Sequence, residues 1–309
     1  MKIEFVSKNF SASSKALIDT VNSIVSEYAR QGYRLSLRQL YYQLVARDYI
    51  PNSVQSYKRV GGIVSDARDA GLIDWDAIED RGRVPQLPAA WESPAEIVKA
   101  AAEQFRVNRW EGQENYVEVM VEKDALSGIL LPVCRRLHVR FTANKGYSSS
   151  TAMFDAGERI REILTDGEGS ANYAHIIYFG DHDPSGLDMT RDIKERITQY
   201  CRLDDVENYL SIHRLALNYD QVEQWNPPPN PAKETDSRFV GYQAEFGDES
   251  WELDAVEPRT LANLVEERIK SLIDDDIWNS VAKRETKMKN ELLKFAKEYE
   301  TRHNGKVKS

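Results

Sequence analysis

Cysteine and histidine are scarce in this sequence. Its 309 residues include two cysteines and five histidines, and Cys134 and Cys201 form no CxxC pair. We therefore expect neither a disulfide framework nor a zinc site built from these side chains. With 41% hydrophobic residues the chain can instead bury a sizeable core, arranged as one large domain or two ordinary ones.

Long apolar runs are absent as well. No stretch approaches the ~20 apolar residues of a membrane-spanning helix. The opening residues, MKIEFVSKNF, lack the apolar segment of a secretory signal, so we expect no export signal there. The sequence thus predicts a cytoplasmic protein with reduced thiols and no membrane partner.

The third absence is an excess of positive charge. The formal net charge is −9, which by itself argues against a nucleic-acid partner. The charge is uneven, however, because residues 1–110 carry 15 Lys/Arg against 13 Asp/Glu and the remainder carries 26 against 37. The first part can therefore approach a polyanion, and the acidic part is either a solvated surface or a holder of cations.

Helical spacing dominates the first part of the chain. It predicts helices over residues 14–31, 36–47 and 53–71, with Ser36 as a candidate N-cap. The following stretch, LIDWDAIEDRGRVP, reads as short strands around a turn. Helices followed by a small ribbon predict a winged helix-turn-helix DNA-binding domain over residues 1–95. A plain helical bundle with a solvated charged face is the alternative.

Basic side chains of this region are candidates for phosphate contacts. Lys58 and Arg59 fall on the third predicted helix, and Arg81 and Arg83 fall in the turn of the ribbon. Because Asp80 is adjacent to that turn, a structural salt bridge is an equal interpretation of the two arginines there.

Strand and helix alternate after a Pro-containing linker, QLPAAWESPAE, at residues 86–96. The stretches YVEVMVEK, HVRFTAN and AHIIYFG are predicted strands, and an amphipathic helix follows each. This order predicts an α/β domain over residues 106–309, with a parallel sheet and helices on its faces. The proline-rich NPPPNP at residues 226–231 predicts a rigid extended loop. The Lys-rich C-terminal stretch predicts a long helical extension that is exposed or lies against a polymer.

Acidic residues follow two of these predicted strands. Glu122 ends the first, and Asp181 and Asp183 end the third, where Gly186 is expected to permit a tight turn. Ligands of parallel sheets bind at the carboxyl ends of strands, and converging carboxylates repel one another unless a cation lies between them. Hard oxygen ligands predict Mg²⁺, or Mn²⁺, for phosphate chemistry. The alternative is that both aspartates only form a turn and cap a helix.

Neighbouring residues are weaker candidates. Glu118 lies deeper on the same strand face as Glu122 and is expected to support the metal. Lys123 either contacts phosphate or is a surface lysine. His182 is expected to point to the other face of its strand, and Asp188 is a minor candidate on the next helix.

The motifs resemble a known family. VEKDAL together with GDHDPSG is similar to the Toprim signature, and the form D-x-D-P-x-G resembles the A subunit of type IIB DNA topoisomerases and the related meiotic double-strand-break protein. RQLYY, KGYSSS and WELDAVEP are similar to further segments of that family. The resemblance covers residues 36–83 and 116–280 in motif order.

The resemblance implies a winged-helix domain followed by a Toprim domain that cleave double-stranded DNA together. It makes Tyr42 the nucleophile that forms a phosphotyrosyl bond, with Tyr41 in reserve. Arg38, on the same helical face, is then the cation beside the phosphate. The family also implies a homodimer in which one subunit's tyrosine faces the other's metal, and the linker looks too short for helix 2 to reach its own sheet. That both tyrosines are core aromatics stays open.

The chain departs from that family in one respect, because it contains no ATP-binding glycine motif. Alone it should not drive strand passage, so a separate ATPase subunit or a defence-system partner is a candidate partner. The resemblance also implies that the protein associates with the nucleoid. A metal-only Toprim nuclease of the plasmid- and phage-defence type, with water as nucleophile, is one alternative. A non-catalytic DNA-binding protein is the other.

Overall fold

The computed structural model describes residues 1–79, 88–144, 148–165 and 171–303. The helices predicted for the first part of the chain are all present: α1 (Ala12–Arg30), α2 (Leu37–Ala46) and α3 (Val54–Asp69). Ser36 caps α2 through a reciprocal pair of hydrogen bonds with Gln39, so the predicted N-cap is confirmed. The apolar faces of the helices enclose one core.

The strands expected after α3 are not formed in the described part of that stretch. The chain makes a short 3-10 helix, Trp75–Ala77, which the side chain of Asp74 caps. Among the described residues of this stretch, strand-type pairing is limited to the isolated bridge between Leu35 and Ile78. Local capping therefore competes successfully with a hairpin here, and residues 80–87 lie outside the described part of the chain.

A helix that the linker prediction missed begins inside that linker. In α4 (Pro94–Gln104), Ser93 accepts a hydrogen bond from the backbone N–H of Glu96, at 3.2 Å. Pro94 stands in the first turn, where a helix tolerates proline. This proline therefore indicates the start of a helix and not a linker. The predicted long C-terminal helix is α11 (Asp275–His303), and it packs along α4 with Ala296 buried.

A four-stranded parallel sheet forms the centre of the rest of the chain, which confirms the α/β class. Its order is β2-β1-β3-β4. The strands are β1 (Asn115–Val121), β2 (Arg140–Ala143), β3 (Tyr173–Phe179) and β4 (Leu210–Ala216). The sequence analysis had assigned no strand to β4.

Helices cover both faces of the sheet. One core contains residues of α5 (Ser127–Arg136) and α10 (Pro258–Lys270), and the other contains residues of α6 (Ser150–Thr165) and α7 (Pro184–Cys201). Side chains of β1 alternate between these cores. None of the helices in the described ranges combines the length and apolar content that crossing a bilayer requires.

The segment between β4 and α10 contains only short elements. They are α8 (Tyr219–Trp225), β5 (Asn230–Pro231), α9 (Phe239–Phe246), β6 (Glu249–Ser250) and the 3-10 helix Leu253–Ala255, and β5 pairs antiparallel with β6. The end of the predicted proline-rich loop is thus tied to the chain that leads into Trp251.

The three-helix unit sits on the sheet domain of its own chain. Helix α2 packs against the 3-10 helix Leu253–Ala255, and Ala255 belongs to the core of the three-helix unit. Tyr33 packs against this core and against the α5 side of the sheet. The expectation that the linker keeps helix 2 away from its own sheet is therefore wrong.

Candidate active site

The ends of β1 and β3 bring two of the predicted carboxylates together. The strands are neighbours, with Val121 paired to Phe179, so the residues after them emerge at one edge. The backbone N–H of Asp181 donates to Oε2 of Glu122 at 2.9 Å. Both side chains are buried, with 5% of Glu122 and 3% of Asp181 exposed. The structure therefore places these residues as the strand order predicts.

Negative charge at this edge is poorly compensated. Burial, with Asp181 next in importance, raises the pKa of Glu122 from 4.5 to about 7. Burial also raises the pKa of Asp181, although Lys123 opposes the shift. Carboxylates that resist ionisation in this way are the groups that a bound cation relieves.

Asp183 has a structural role, as predicted by the alternative interpretation in which the aspartates form a turn and cap a helix. It is the N-cap of α7 and accepts hydrogen bonds from the backbone N–H of Gly186, at 2.6 Å, and from Ser185 Oγ, at 2.9 Å. Gly186 does not serve a tight turn, because it lies in α7 without a positive φ. A Cβ there would collide with the carbonyl oxygen of Asp181, so close approach requires the glycine.

Two further carboxylates join the edge from a distant part of the chain. Lys123 pairs with Asp181, and its Nζ lies 2.9 Å from Glu252 Oε2 and 3.8 Å from Asp254 Oδ2. The lysine is therefore not a free surface residue. We call the following set the carboxylate edge: Glu122, Asp181, Asp183, Glu252 and Asp254.

Asp254 is the least satisfied member of the carboxylate edge. Its side chain is 0% exposed, and its nearest cation is Arg38, with Nε 3.3 Å from Oδ2. Neither carboxylate oxygen has a hydrogen-bond partner among the described residues. Burial raises the pKa of Asp254 to about 6. The site thus retains acceptor capacity that the protein itself does not fill.

Helix α2 carries Arg38 and Tyr42 to the carboxylate edge. Arg38 Nε donates to Glu252 Oε2 at 3.1 Å, and its guanidinium carbon lies 5.8 Å from the centre of the Tyr42 ring. The Tyr42 hydroxyl accepts a hydrogen bond from Asn230 Nδ2 at 3.1 Å, and none of the described residues accepts its proton. Burial, reinforced by Glu252, raises the pKa of Tyr42 to about 12.

Tyr41, the reserve nucleophile, is held in a structural role. Its hydroxyl accepts the backbone N–H of Ser53 at 2.7 Å and donates to Asn52 Oδ1 at 2.9 Å. Its proton and one of its lone pairs are thus engaged at the start of α3. Of the two neighbouring tyrosines, only Tyr42 has a hydroxyl proton that none of the described residues accepts.

A cavity of about 450 Å³ opens beside this tyrosine. Its lining comes from both parts of the chain and includes Arg38, Tyr42, Tyr57, Asn230 and Glu252. The cavity therefore connects the three-helix unit with the carboxylate edge.

The sequence analysis expected Glu118 to support a metal. In the structure it is instead held by Arg159 and Tyr116, apart from the carboxylate edge. Its oxygens receive two hydrogen bonds from Arg159, each 3.0 Å long, and one from the Tyr116 hydroxyl at 2.6 Å. Helix α6 brings Arg159 over this part of the sheet, so the carboxylate is neutralised within the core.

His182 points away from the carboxylate edge, as predicted. Its ring lies within 6 Å of four aromatic rings, those of Tyr219, Tyr242, Phe246 and Trp251. Its backbone exchanges two hydrogen bonds with Trp251, at 2.8 and 2.9 Å. This bridge fixes the segment with Asp181 and Asp183 against the segment with Glu252 and Asp254.

The remaining candidates lie apart from the edge. Lys58 and Arg59 are exposed on α3, while Asp188 pairs with Arg238 at 2.7 Å. Arg81 and Arg83 lie outside the described residues, as does part of the KGYSSS stretch.

The carboxylates suit a hard cation chemically, and their present arrangement does not form a cage. Within the described residues, no group of three or more His, Cys, Asp or Glu side chains is placed to hold a metal ion. Asp181 would have to exchange the ammonium of Lys123 for such an ion. The unfilled acceptors of Asp254 and the raised pKa of Glu122 fit a positively charged ligand at this edge.

Sequence reasoning missed Glu252 and Asp254. The available signal was their spacing of two, which repeats the spacing of Asp181 and Asp183. In comparisons with known proteins, no family model matches the chain, and no curated protein matches it either.

Proposed function

We propose that this chain is a Mg²⁺-dependent DNA-cleaving enzyme similar to the A subunit of type IIB topoisomerases. On this proposal the three-helix unit is a winged-helix domain and the sheet domain is a Toprim domain. The observation that carries the proposal is the contact of Arg38 with Glu252, which places Tyr42 beside the carboxylate edge. Two catalytic parts from distant sequence regions thereby meet at one cavity.

The chemistry is the exchange of one phosphoester bond for another. As the Tyr42 Oη–phosphorus bond forms, the bond from phosphorus to the 3′ oxygen breaks. The phenol proton passes to solvent and the 3′ oxygen takes up a proton, so no oxidant or reductant is needed. Arg38 is placed to bind the phosphate.

Glu122, Asp181 and Asp183 are the residues that would hold Mg²⁺ or Mn²⁺. When bound, such an ion supplies electrostatic stabilisation of charge on the phosphate and the leaving oxygen. Lys123 pairs with Asp181, and its ammonium would contact the phosphate if a cation took its place on that carboxylate.

Double-stranded DNA is the proposed partner, bound through Lys58 and Arg59, with Arg81 and Arg83 as further candidates. Binding should weaken steeply with salt, because phosphate contacts release counterions. A Lys58→Ala/Arg59→Ala variant should have a shallower salt dependence than the wild type. Equal slopes in a fluorescence-anisotropy titration would remove these residues from the interface.

The test of cleavage is a covalent trap. Supercoiled DNA with radioactive phosphates along both strands is incubated with the protein and Mg²⁺, and the mixture is quenched with detergent and digested with a nuclease. The wild type should yield labelled protein and Tyr42→Phe none, whereas Tyr41→Phe, which keeps the proposed nucleophile, should still form adduct at a reduced rate because its hydroxyl helps to hold Asn52. Unchanged labelling of Tyr42→Phe would exclude Tyr42 as the nucleophile.

A homodimer is the proposed functional form, with two sites related by a two-fold axis. Mixing Tyr42→Phe with Asp183→Ala subunits asks whether each site is formed within one chain. The contacts of Arg38 with Glu252 support sites within one chain, so the mixture should stay inactive. Recovery of nicking would show that the tyrosine acts across the dimer.

A metal-only nuclease is the second candidate, and the state of Tyr42 favours it. The residue is only 4% exposed, and its pKa of about 12 makes it a poorly ionised nucleophile. On this alternative Tyr42→Phe still cuts DNA, and the products carry free 5′-phosphate ends without attached protein. Binding without cutting would leave the non-catalytic DNA-binding role.

A further inference from the structure

The proline-rich loop NPPPNP has no part in the function described so far. Its last two residues form β5, which pairs with β6 directly before Trp251 and Glu252. A proline-rich segment has little conformational freedom to lose, and its pairing fixes its end further. The loop therefore holds Asn230 in a fixed position at the cavity beside Tyr42.

Contacts with the three-helix unit orient the amide of Asn230. Asn52 Nδ2 donates to the Asn230 Oδ1 atom at 2.8 Å and to the carbonyl oxygen of Pro229 at 2.6 Å. Asn52 is itself held, because its Oδ1 accepts the hydroxyl of Tyr41. Since the amide oxygen of Asn230 faces Asn52, its Nδ2 group faces Tyr42 and donates to Oη at 3.1 Å.

We propose that Asn230 is a catalytic residue, whose amide binds the Tyr42 oxygen and stabilises the negative charge that develops there during attack. This inference rests on the proposed function, in which Tyr42 is the nucleophile. The same donor would stabilise the tyrosinate as leaving group when the 3′ hydroxyl reseals the DNA. Asn52 is then a positioning residue, because it acts through Asn230.

The surroundings of Tyr42 explain why such a donor matters. Burial and the charge of Glu252 oppose ionisation of the phenol, whereas Arg38, Lys123 and the amide of Asn230 favour it. The cations also have carboxylate partners of their own. Among the described residues, the Asn230 amide is the group that donates a hydrogen bond directly to the reacting oxygen. Donors aimed at developing charge contribute strongly to catalysis.

The first experiment measures the rate of covalent adduct formation. Asn230→Ala should slow it roughly 10- to 100-fold, the usual effect of losing a hydrogen bond to a charged group. Asn230→Asp should slow it further, because a carboxylate oxygen replaces the donor. Asn52→Ala should give a smaller loss. Asn172→Ala is the matched control and should keep the wild-type rate, because Asn172 precedes β3 at the end of the strand opposite the carboxylate edge.

The second experiment separates this inference from the proposed function, because it needs no DNA. A fluorinated tyrosine, whose phenol ionises nearer neutral pH, is introduced at position 42, and its ionisation is followed by absorbance. Asn230→Ala should raise its pKa by about one unit, the counterpart of a tenfold effect. In a separate assay with DNA, the fluorinated residue should also restore part of the cleavage rate in Asn230→Ala.

The outcomes are distinguishable. An unchanged phenol pKa in folded Asn230→Ala, or an adduct rate equal to that of the wild type, would overturn the role of Asn230. A raised phenol pKa in a protein that never forms an adduct would support the hydrogen bond and refute the proposed nucleophile. Circular dichroism on each variant verifies that the comparison is between folded proteins.

Discussion

Two glutamates, one within strand β1 and one directly after it, have opposite surroundings. Glu118, in the middle of the strand, receives two hydrogen bonds from Arg159 and one from Tyr116. Glu122, the residue after the strand, receives the backbone N–H of Asp181 and lies close to further carboxylates. Both are buried. The same residue type is thus neutralised where helix α6 covers the sheet and left in excess charge where the sheet ends.

The difference shows that buried negative charge is neutralised in the middle of the sheet and less well compensated at the ends of the strands. A nearby cation, Arg214, is partly buried, and its guanidinium donates to the carbonyl oxygens of Gly180, at 2.8 Å, and Gly186, at 3.0 Å. It therefore holds the turn in place, and no hydrogen bond from it reaches Glu122 in the described structure. Excess charge at the edge stays available for a ligand.

The largest expected effect lies at Glu118. Arg159→Met removes the partner of a buried carboxylate, which typically costs about 3 to 5 kcal/mol. Because Arg159 is 30% exposed, we expect a loss near the lower limit in urea unfolding. Adding Glu118→Gln to this variant should restore most of the stability, since it removes the stranded charge. Equal midpoints for wild type and Arg159→Met would contradict the assignment.

At Glu122, in contrast, removing the charge should raise the stability of the protein at neutral and alkaline pH. Its pKa is raised from 4.5 to about 7 in the fold, so the stability it contributes is complete below pH 4.5 and is lost as pH rises through 7. In metal-free buffer Glu122→Gln should therefore match the wild type near pH 4 and exceed its stability by about 3 kcal/mol at pH 8. Thermal unfolding across this range, with and without Mg²⁺, measures the difference, and a constant difference with pH would refute it.

The smallest effect is expected at Asp183. Asp183→Asn keeps the oxygen that caps α7 and removes the charge, so stability should change little. Affinity for Mn²⁺ should fall at least about tenfold, or about 1.4 kcal/mol, if the carboxylate is a ligand. Isothermal titration on both proteins makes the measurement, and equal affinities would assign Asp183 to capping alone.

Much of the architecture could be predicted because its signals are local. Helical spacing located α1 to α3, and the Ser36 cap lies within one turn of the residues it serves. The meeting of Glu122 and Asp181 also followed from sequence, because alternating strands and helices imply a parallel sheet whose strand ends share an edge. The prediction required only that β1 and β3 be adjacent in the sheet, which they are.

Features that depend on distant pairing were not predictable in this way. Glu252 and Asp254 reach the edge through the backbone bridge of Trp251 to His182, and their spacing of two does not by itself indicate which distant segment they pair with. The position of α2 on its own sheet domain likewise depends on packing against Leu253–Ala255. Helix α4 was overlooked for a different reason, since proline signals both a linker and a helix start.

The bridge between His182 and Trp251 has a dynamic consequence. Each residue both donates to and accepts from the other's backbone, so neither segment can separate without breaking both bonds. Amide hydrogen exchange at the two positions should therefore proceed through one shared opening, at matching rates and with high protection. The carboxylate edge would then assemble and disassemble as a single cooperative unit, and partial states with only one acidic segment in place should be rare.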